Sequence, residues 1–323
     1  MPTILIALGA NLGDLGETLN QAVDELASDS DFTLLARSEL LVTKPVGGPS
    51  GQPDYLNSAA KFSTSLSPEQ VHQKLIEIEQ SHGRVRIQRW GARKLDLDLL
   101  LYDQQIIKTS QLTIPHPRMS FRRFVMQPAA QVAAEMRHAE LDTTIGELWA
   151  QLSGSPPVVE IAALPGPAVN ELLAATEKEL GHAKHSFANE LQPYPRSAND
   201  LMKQLQDLTH RQSEHRSLPP GSSARVLPWW FGIADVLAGQ NVSGSLATPP
   251  ARLTVYWNRP EETYGAVEEG WWTPQQRNGL QAKLAEAVRQ TVHAPRLWLD
   301  GNDLASAVTE LTAAIEAMQD ESI

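Results

Sequence analysis

The chain has 323 residues, 41% of them hydrophobic and 20% charged, with a net charge of −11 and no cysteine. Its length exceeds one typical domain and points to two, each long enough to bury a core of its own. The absence of cysteine excludes disulfides, thiolate metal sites and cysteine nucleophiles, so a bound metal would be held by oxygen or imidazole, which favours a hard ion such as magnesium. The acidic balance argues against a general nucleic-acid binder.

From the N-terminus, ILIALGA is an apolar run closed by Gly9 and the turn Asn11-Leu12-Gly13, and reads as a first strand rather than a signal peptide. No run of about 18 apolar residues follows, so no membrane span is expected and a cytoplasmic location is. Leu19, Val23 and Leu26 share one face of a helix over residues 15–29. Ser38 to Thr43 and Ser58 to Ser65 read as strands, joined by the loop Lys44 to Pro53, whose three prolines and three glycines keep it out of a sheet interior. A second helix starts at Ser67, with Pro68 in its first turn and Gln70 completing a capping box. Val71, Leu75 and Ile78 mark its buried face, and Gly83 its stop.

Five cations follow between Arg84 and Lys94 (Arg84, Arg86, Arg89, Arg93, Lys94) with no acid among them. A local cationic loop on an acidic protein suits a small polyanion such as a nucleoside triphosphate. Next comes Leu95-Asp96-Leu97-Asp98-Leu99. In a strand, residues i and i+2 share a face, so the two carboxylates project together with Cα atoms roughly 6.5–7 Å apart. Such a pair is a natural ligand set for divalent ions that also take phosphate oxygens. The pattern alone fits an edge strand with its aspartates in water equally well.

The residues Arg89, Gly91, Ala92, Arg93, Asp96, Leu97, Asp98, Leu99 and Leu100 fill without a gap the signature of the 6-hydroxymethyl-7,8-dihydropterin pyrophosphokinases, and the segment resembles that family. The stretches ALGANLGD, TKPVGGPSGQPDYLNSA, IEQSHGRVR and LTIPHPRMSFRRFVMQPA resemble it too, in the family's order, over residues 3–152. The resemblance implies an α+β ferredoxin-like plait, an antiparallel sheet with helices on one face. It implies transfer of pyrophosphate from ATP to a pterin alcohol, with Asp96 and Asp98 holding two magnesium ions and Arg84 and Arg86 closing over the triphosphate. By the same resemblance Tyr55 and Phe124 stack on the pterin, Asn57 bonds its edge, and Thr43 and Val46 line it through backbone groups. Arg93, Leu99, Thr113, His116 and Arg122 match ATP-contacting positions, Glu79 a position facing the adenosine, and Trp90 a seal over the closed site. Gln111, Pro117 and Ile76 depart from the family's usual residues and bear on the ATP contacts.

A break at Gly154-Ser155-Pro156-Pro157 reads as a linker between residues 1–153 and 158–323. Beyond it come a strand VVEIAAL, a polar, proline- and serine-rich stretch from Asn189 to Leu227 read as mobile loop, strands ARLTVYWN and PRLWLDG, and a closing helix Asp303 to Met318. EIAALPGPAVNELLAA resembles the strand–loop–helix of nucleoside kinases, which implies an α/β P-loop-kinase-like domain with a parallel sheet. Here Ala163 and Ala168 stand at glycine positions, Val169 at the lysine and Asn170 at the hydroxyl, and Glu268 to Trp272 occupy the place of the arginine-rich lid. This half is therefore expected to be a degenerate kinase without catalysis. Its tryptophans Trp229, Trp230, Trp271 and Trp272 suit a core or an interface such as a homodimer's. A bifunctional enzyme with residual nucleoside kinase activity, or a non-catalytic pterin- or nucleotide-binding protein, are the alternatives.

Overall fold

The computed structural model describes residues 1–49, 51–83, 91–154, 158–164, 167–181, 185–187, 203, 224–228, 252–258, 274–290 and 295–319. The chain divides into two compact units, one comprising Met1–Gly154 and the residues from Glu316 onward, the other Ser155–Ile315. No helix among the described residues is long and apolar enough to cross a membrane.

In the first unit, β1 (Thr3–Ala10) leads into α1 (Leu15–Ser28), which starts where the Asp14 side chain accepts from Glu17 N at 3.1 Å. β2 (Phe32–Arg37) and β3 (Leu41–Thr43) both pair antiparallel with β4 (Tyr55–Thr64). The expected strand from Ser38 is shorter for a local reason. Ser38 Oγ accepts from Ala59 N at 2.9 Å, so a side chain takes the ladder bond there and pairing resumes only at Leu41. α2 (Pro68–Ser81) carries the expected capping box, with Ser67 Oγ accepting from Gln70 N and Gln70 Oε1 from Ser67 N, and stops at Gly83, whose φ is +78°.

β5 (Asp96–Tyr102) completes a sheet in the order β2–β4–β1–β5, every neighbour antiparallel. This is the interleaving of two β-α-β halves that defines the plait. α1 and α2 cover one face, where Ile4, Ile6 and Leu8 meet Leu19, Val23, Leu75 and Ile78. The expectation of helices on one face only is corrected by α3 (Arg123–Ala133), which packs against β4 and β1 on the other face. The reason lies in the strands: Leu5, Ala7 and Ala59 point that way and are also apolar and buried. Lys61 pairs with Glu135 at 2.7 Å, and Gln131 Oε1 accepts from Glu39 N at 3.0 Å, which ties this end of the helix down. Two short ribbons pair β6 (Ile107–Lys108) with β7 (Thr113–Ile114), whose Ile107 and Ile114 join the core under α1 and α2, and β8 (Arg137–His138) with β9 (Thr143–Thr144), while α4 (Ile145–Gly154) packs on α3.

In the second unit, β10 (Val158–Ala162), α5 (Pro167–Leu180), β11 (His185–Phe187), β12 (Ala224–Pro228), β13 (Leu253–Tyr256), α6 (Pro274–Gln290) and β14 (Arg296–Trp298) precede α7 (Leu304–Ala317), whose last two residues count with the first unit. The sheet is parallel in the order β11–β12–β10–β13–β14. All five residues of β10 are buried, as a parallel strand covered on both faces requires. The expected loop from Asn189 to Leu227 is corrected at its end, where Ala224 to Leu227 form part of β12 beside β10 with Val226 fully buried. Apart from Lys203 and those residues, that stretch lies outside the described residues, as do Trp229, Trp230 and Glu268 to Trp272.

Candidate active site

β5 alternates as the sequence predicts. Leu97 and Leu99 enter the core under α1 and α2, while Asp96 and Asp98 share the opposite face. The register sets Asp96 opposite Gly9 and Asp98 opposite Ala7, and Gly9 in turn faces Asn57. Asn57, Gly9 and Asp96 thus form one row across the sheet. Gly9 keeps that row open, because a Cβ there would lie 3.3 Å from Asn57 Oδ1.

β5 is the edge of its sheet, so its free backbone groups need other partners. Leu97 N donates to Glu79 Oε1 at 2.7 Å, and the Leu100 carbonyl accepts from His116 N at 2.9 Å. The register shifts at Leu5/Ile6 and leaves Leu100 unmatched on β1, a bulge at the middle of the aspartate strand. Helix α2 and the segment after β7 therefore fix this strand in place of a further strand.

Cations surround the carboxylates. Arg93 Nη1 donates to Asp96 Oδ2 at 2.7 Å. Burial works against the Arg93 charge, but Asp96 and the hydrogen bond to it outweigh that and raise its pKa. His116 Nδ1 accepts from Arg118 N at 3.3 Å, which leaves Nε2 as the protonated nitrogen of the neutral ring, 3.9 Å from Asp98 Oδ2. Burial lowers the His116 pKa, Asp98 partly restores it, and Arg122 and Arg118 lower it further. Burial and Arg118 bring Arg122 down to about 10 against the pull of Asp98 and Asp96, so it stays cationic at neutral pH. Thr113 lies on β7 opposite Lys108, three residues before His116.

On the other flank, Thr43, Val46 and Phe124 line one cavity. Asn57 Nδ2 donates to Thr43 Oγ1 at 2.9 Å, joining the row with Gly9 and Asp96 to that cavity. The Arg122 guanidinium sits 5.6 Å from the centre of the Phe124 ring. Tyr55 pairs across β3–β4 with Thr43 but is not a wall of the cavity; its hydroxyl turns to the Gly91 carbonyl at 3.5 Å. Burial raises the Tyr55 pKa, with Arg93 opposing and Asp96 adding to the rise. Arg84, Arg86 and Trp90 lie outside the described residues.

The donor set fits magnesium. No cluster of three metal-ligating side chains occurs among the described residues, and Asp96 and Asp98 keep 24% and 38% of their side-chain surface exposed. Two carboxylates open to solvent suit an ion that completes its shell with water and substrate phosphates.

Residues 5–134 match the model of the family "7,8-dihydro-6-hydroxymethylpterin-pyrophosphokinase (HPPK)". Three relatives named 2-amino-4-hydroxy-6-hydroxymethyldihydropteridine pyrophosphokinase share this region. The Haemophilus influenzae protein is 44% identical over 136 residues, 42% of this chain and 84% of its own. The Bacillus subtilis protein is 42% identical over 153 residues, 46% and 91% of the two chains. The Pseudomonas aeruginosa protein is 36% identical over 163 residues, 50% and 97%. The chain belongs to the HPPK family.

Two of the residues expected at the ATP side have side chains that serve the fold of this HPPK chain. The Leu99 side chain is in the core, 4% exposed, on the face away from the aspartates, because strand alternation turns it there. Glu79 is 3% exposed and its carboxylate is engaged by the backbone of β5, so it holds the strand between the two aspartates. One residue with a part in the site escapes a reading by type and spacing. Asn11, 2% exposed, bonds residue 93 through both its side chain and its backbone. A polar residue directly after an apolar strand is its only local signal, and that signal reads as a turn.

Proposed function

We propose that the first unit transfers a pyrophosphoryl group from ATP to 6-hydroxymethyl-7,8-dihydropterin in folate biosynthesis. The observation that carries this reading is the aspartate pair of β5, side by side and ringed by Arg93, His116 and Arg122, in a chain of the HPPK family. The hydroxymethyl oxygen attacks the β-phosphorus and gives up its proton to water, the bond from that phosphorus to the oxygen shared with the α-phosphorus breaks, and AMP leaves with the electron pair. Two magnesium ions held by Asp96 and Asp98 would supply the charge that draws the phosphates and the alcohol oxygen together.

The remaining work falls to the chain's own groups, chiefly positioning and charge stabilisation. Arg93 and Arg122 lie beside the aspartates and offer planar donor sets to phosphate oxygens. Thr113 and His116 border the same side, with the neutral His116 ring presenting Nε2–H toward Asp98. Arg84 and Arg86 would close over the triphosphate and Trp90 would seal the site against water. Tyr55 and Phe124 would stack on the pterin, Asn57 would bond its edge, and the backbone at Thr43 and Val46 would line it.

In the same reading residues 1–153 are the catalytic domain, 154–157 a linker and 158–323 a degenerate nucleoside-kinase-like domain, in a cytoplasmic protein that self-associates through the second domain. The parallel sheet of the second unit, with α5 following its central strand, supports that part. So do Ala163, Ala168 and Val169, which put small or apolar, buried side chains where a phosphate loop needs glycine and lysine. The test is to incubate the full chain with ATP, magnesium and the pterin alcohol and to measure AMP. AMP formation that survives Asp96→Ala or Asp98→Ala would sink the mechanism.

A further inference from the structure

We infer that Asn11 is a positioning residue that couples the ATP side of the site to the pterin side, an inference that rests on the proposed activity. Asn11 directly follows β1. Its Oδ1 accepts from Arg93 N at 2.7 Å, and its own N–H donates to the Arg93 carbonyl at 3.0 Å. This two-bond clasp fixes the backbone of the residue whose guanidinium holds Asp96. The third bond runs the other way, from Asn11 Nδ2 to the Pro53 carbonyl at 3.4 Å. Pro53 lies two residues before Tyr55, at the end of the loop that starts with Thr43, Lys44 and Val46.

One carboxamide therefore joins the segment entering the aspartate strand to the segment entering the pterin strand. Among the described residues the two segments also meet at Tyr55, whose Oη is 3.5 Å from the Gly91 carbonyl and within the influence of the Arg93 guanidinium. Asn11 is itself held firmly. β1 anchors it on one side, and on the other Gly13, with φ +85°, turns the chain into the Asp14 cap of α1. A buried amide on a fixed base cannot follow one segment without straining its bond to the other, because either group left unbonded out of water is costly. Binding that orders one segment then favours the other, and the coupling is reciprocal.

The residue type is demanding. Only Asn and Gln offer both a carbonyl for Arg93 N and a donor for Pro53 O, and Gln is longer by one methylene. Asp keeps the acceptor and loses the donor; Ala loses both and keeps the backbone bond alone.

The experiment measures pterin-alcohol affinity by equilibrium titration of the full chain, with and without magnesium and α,β-methylene-ATP, which cannot transfer the group. The ratio of the two affinities is the coupling factor. In Asn11→Ala that factor should fall about tenfold, within the range of common coupling energies, while Asn11→Asp should fall between Ala and the unaltered chain. AMP formation by the unaltered chain is measured alongside. If AMP forms and the factor in folded Asn11→Ala equals that of the unaltered chain, this inference is overturned and the activity stands. If no AMP forms, the activity and the inference fall together. If Asn11→Ala does not fold, Asn11→Asp decides, and an unchanged factor there overturns the inference.

Discussion

The aspartate strand of the first unit and the strand–helix junction of the second are both places where phosphate chemistry could sit, and they are built in opposite ways. β5 is an edge strand with one face in the core and the other bearing two part-exposed carboxylates. Arg93 and Arg122 stand beside those carboxylates. β10 is the central strand of a parallel sheet, buried on both faces, and the residues after it are packed: Ala163, Leu164, Ala168 and Val169 are all under 10% exposed. A strand with one open face can present charge without burying it. A central strand can do so only through its terminal loop, and in this chain apolar side chains fill the described part of that loop. The comparison teaches that position in a sheet offers a site, and side-chain chemistry decides whether it is used.

The sharpest way to break this contrast is to neutralise the open face. Asp98→Asn and Asp96→Asn keep volume and remove charge, and each should lower kcat/KM for AMP formation by about 10²–10³-fold, the size of a lost electrostatic contact to a transition state. The converse change is to restore the missing lysine of the second unit. Val169 is 2% exposed, so Val169→Lys buries an ammonium and should cost roughly 3 kcal/mol in urea unfolding. It should yield no ADP from ATP and deoxynucleosides; ADP release would show that the second unit keeps a working phosphate site.

A smaller effect probes what holds the edge strand. Glu79→Leu removes the acceptor of Leu97 N and should lower the unfolding free energy by about 1–3 kcal/mol, with Glu79→Gln recovering most of it. Equal losses in the two variants would mean that the charge of Glu79, not its acceptor, matters. The smallest effect lies far from the site. Glu147 accepts from Thr144 N, Thr143 Oγ1 and Thr144 Oγ1 at the start of α4, and these bonds depress its pKa to about 2. Its folded pKa is below the unfolded value, so the stability it lends is present above about pH 4.5 and is lost as pH falls toward 2. Glu147→Gln should flatten that part of the stability-against-pH curve, read by thermal unfolding, by lowering stability at neutral pH, where the carboxylate is charged, and leaving it nearly unchanged near pH 2.

Features with local causes were legible in the sequence. Ser67, Pro68, Gln70 and Gly83 bracket α2 within one stretch of chain, and strand alternation alone put Asp96 and Asp98 on one face. β2 was not legible, because an edge strand leaves Leu34 at 38% and Leu35 at 49% exposure and shows no alternation. α3 was hidden by Pro128 inside it, and with it the covering of the second sheet face. β12 follows a polar stretch whose composition argues for loop. The roles of Glu79 and Asn11 depend on partners 18 and 82 residues away, which no local pattern can pair.

The central claim is that the open face of β5 moves a pyrophosphoryl group. Phosphorus NMR of the full chain with ATP, magnesium and the pterin alcohol tests it most directly. Pterin diphosphate and AMP should appear in equal amounts, and Asp96→Asn or Asp98→Asn should slow both about 10²–10³-fold. ADP with a pterin monophosphate, or no transfer to the pterin at all, would contradict it.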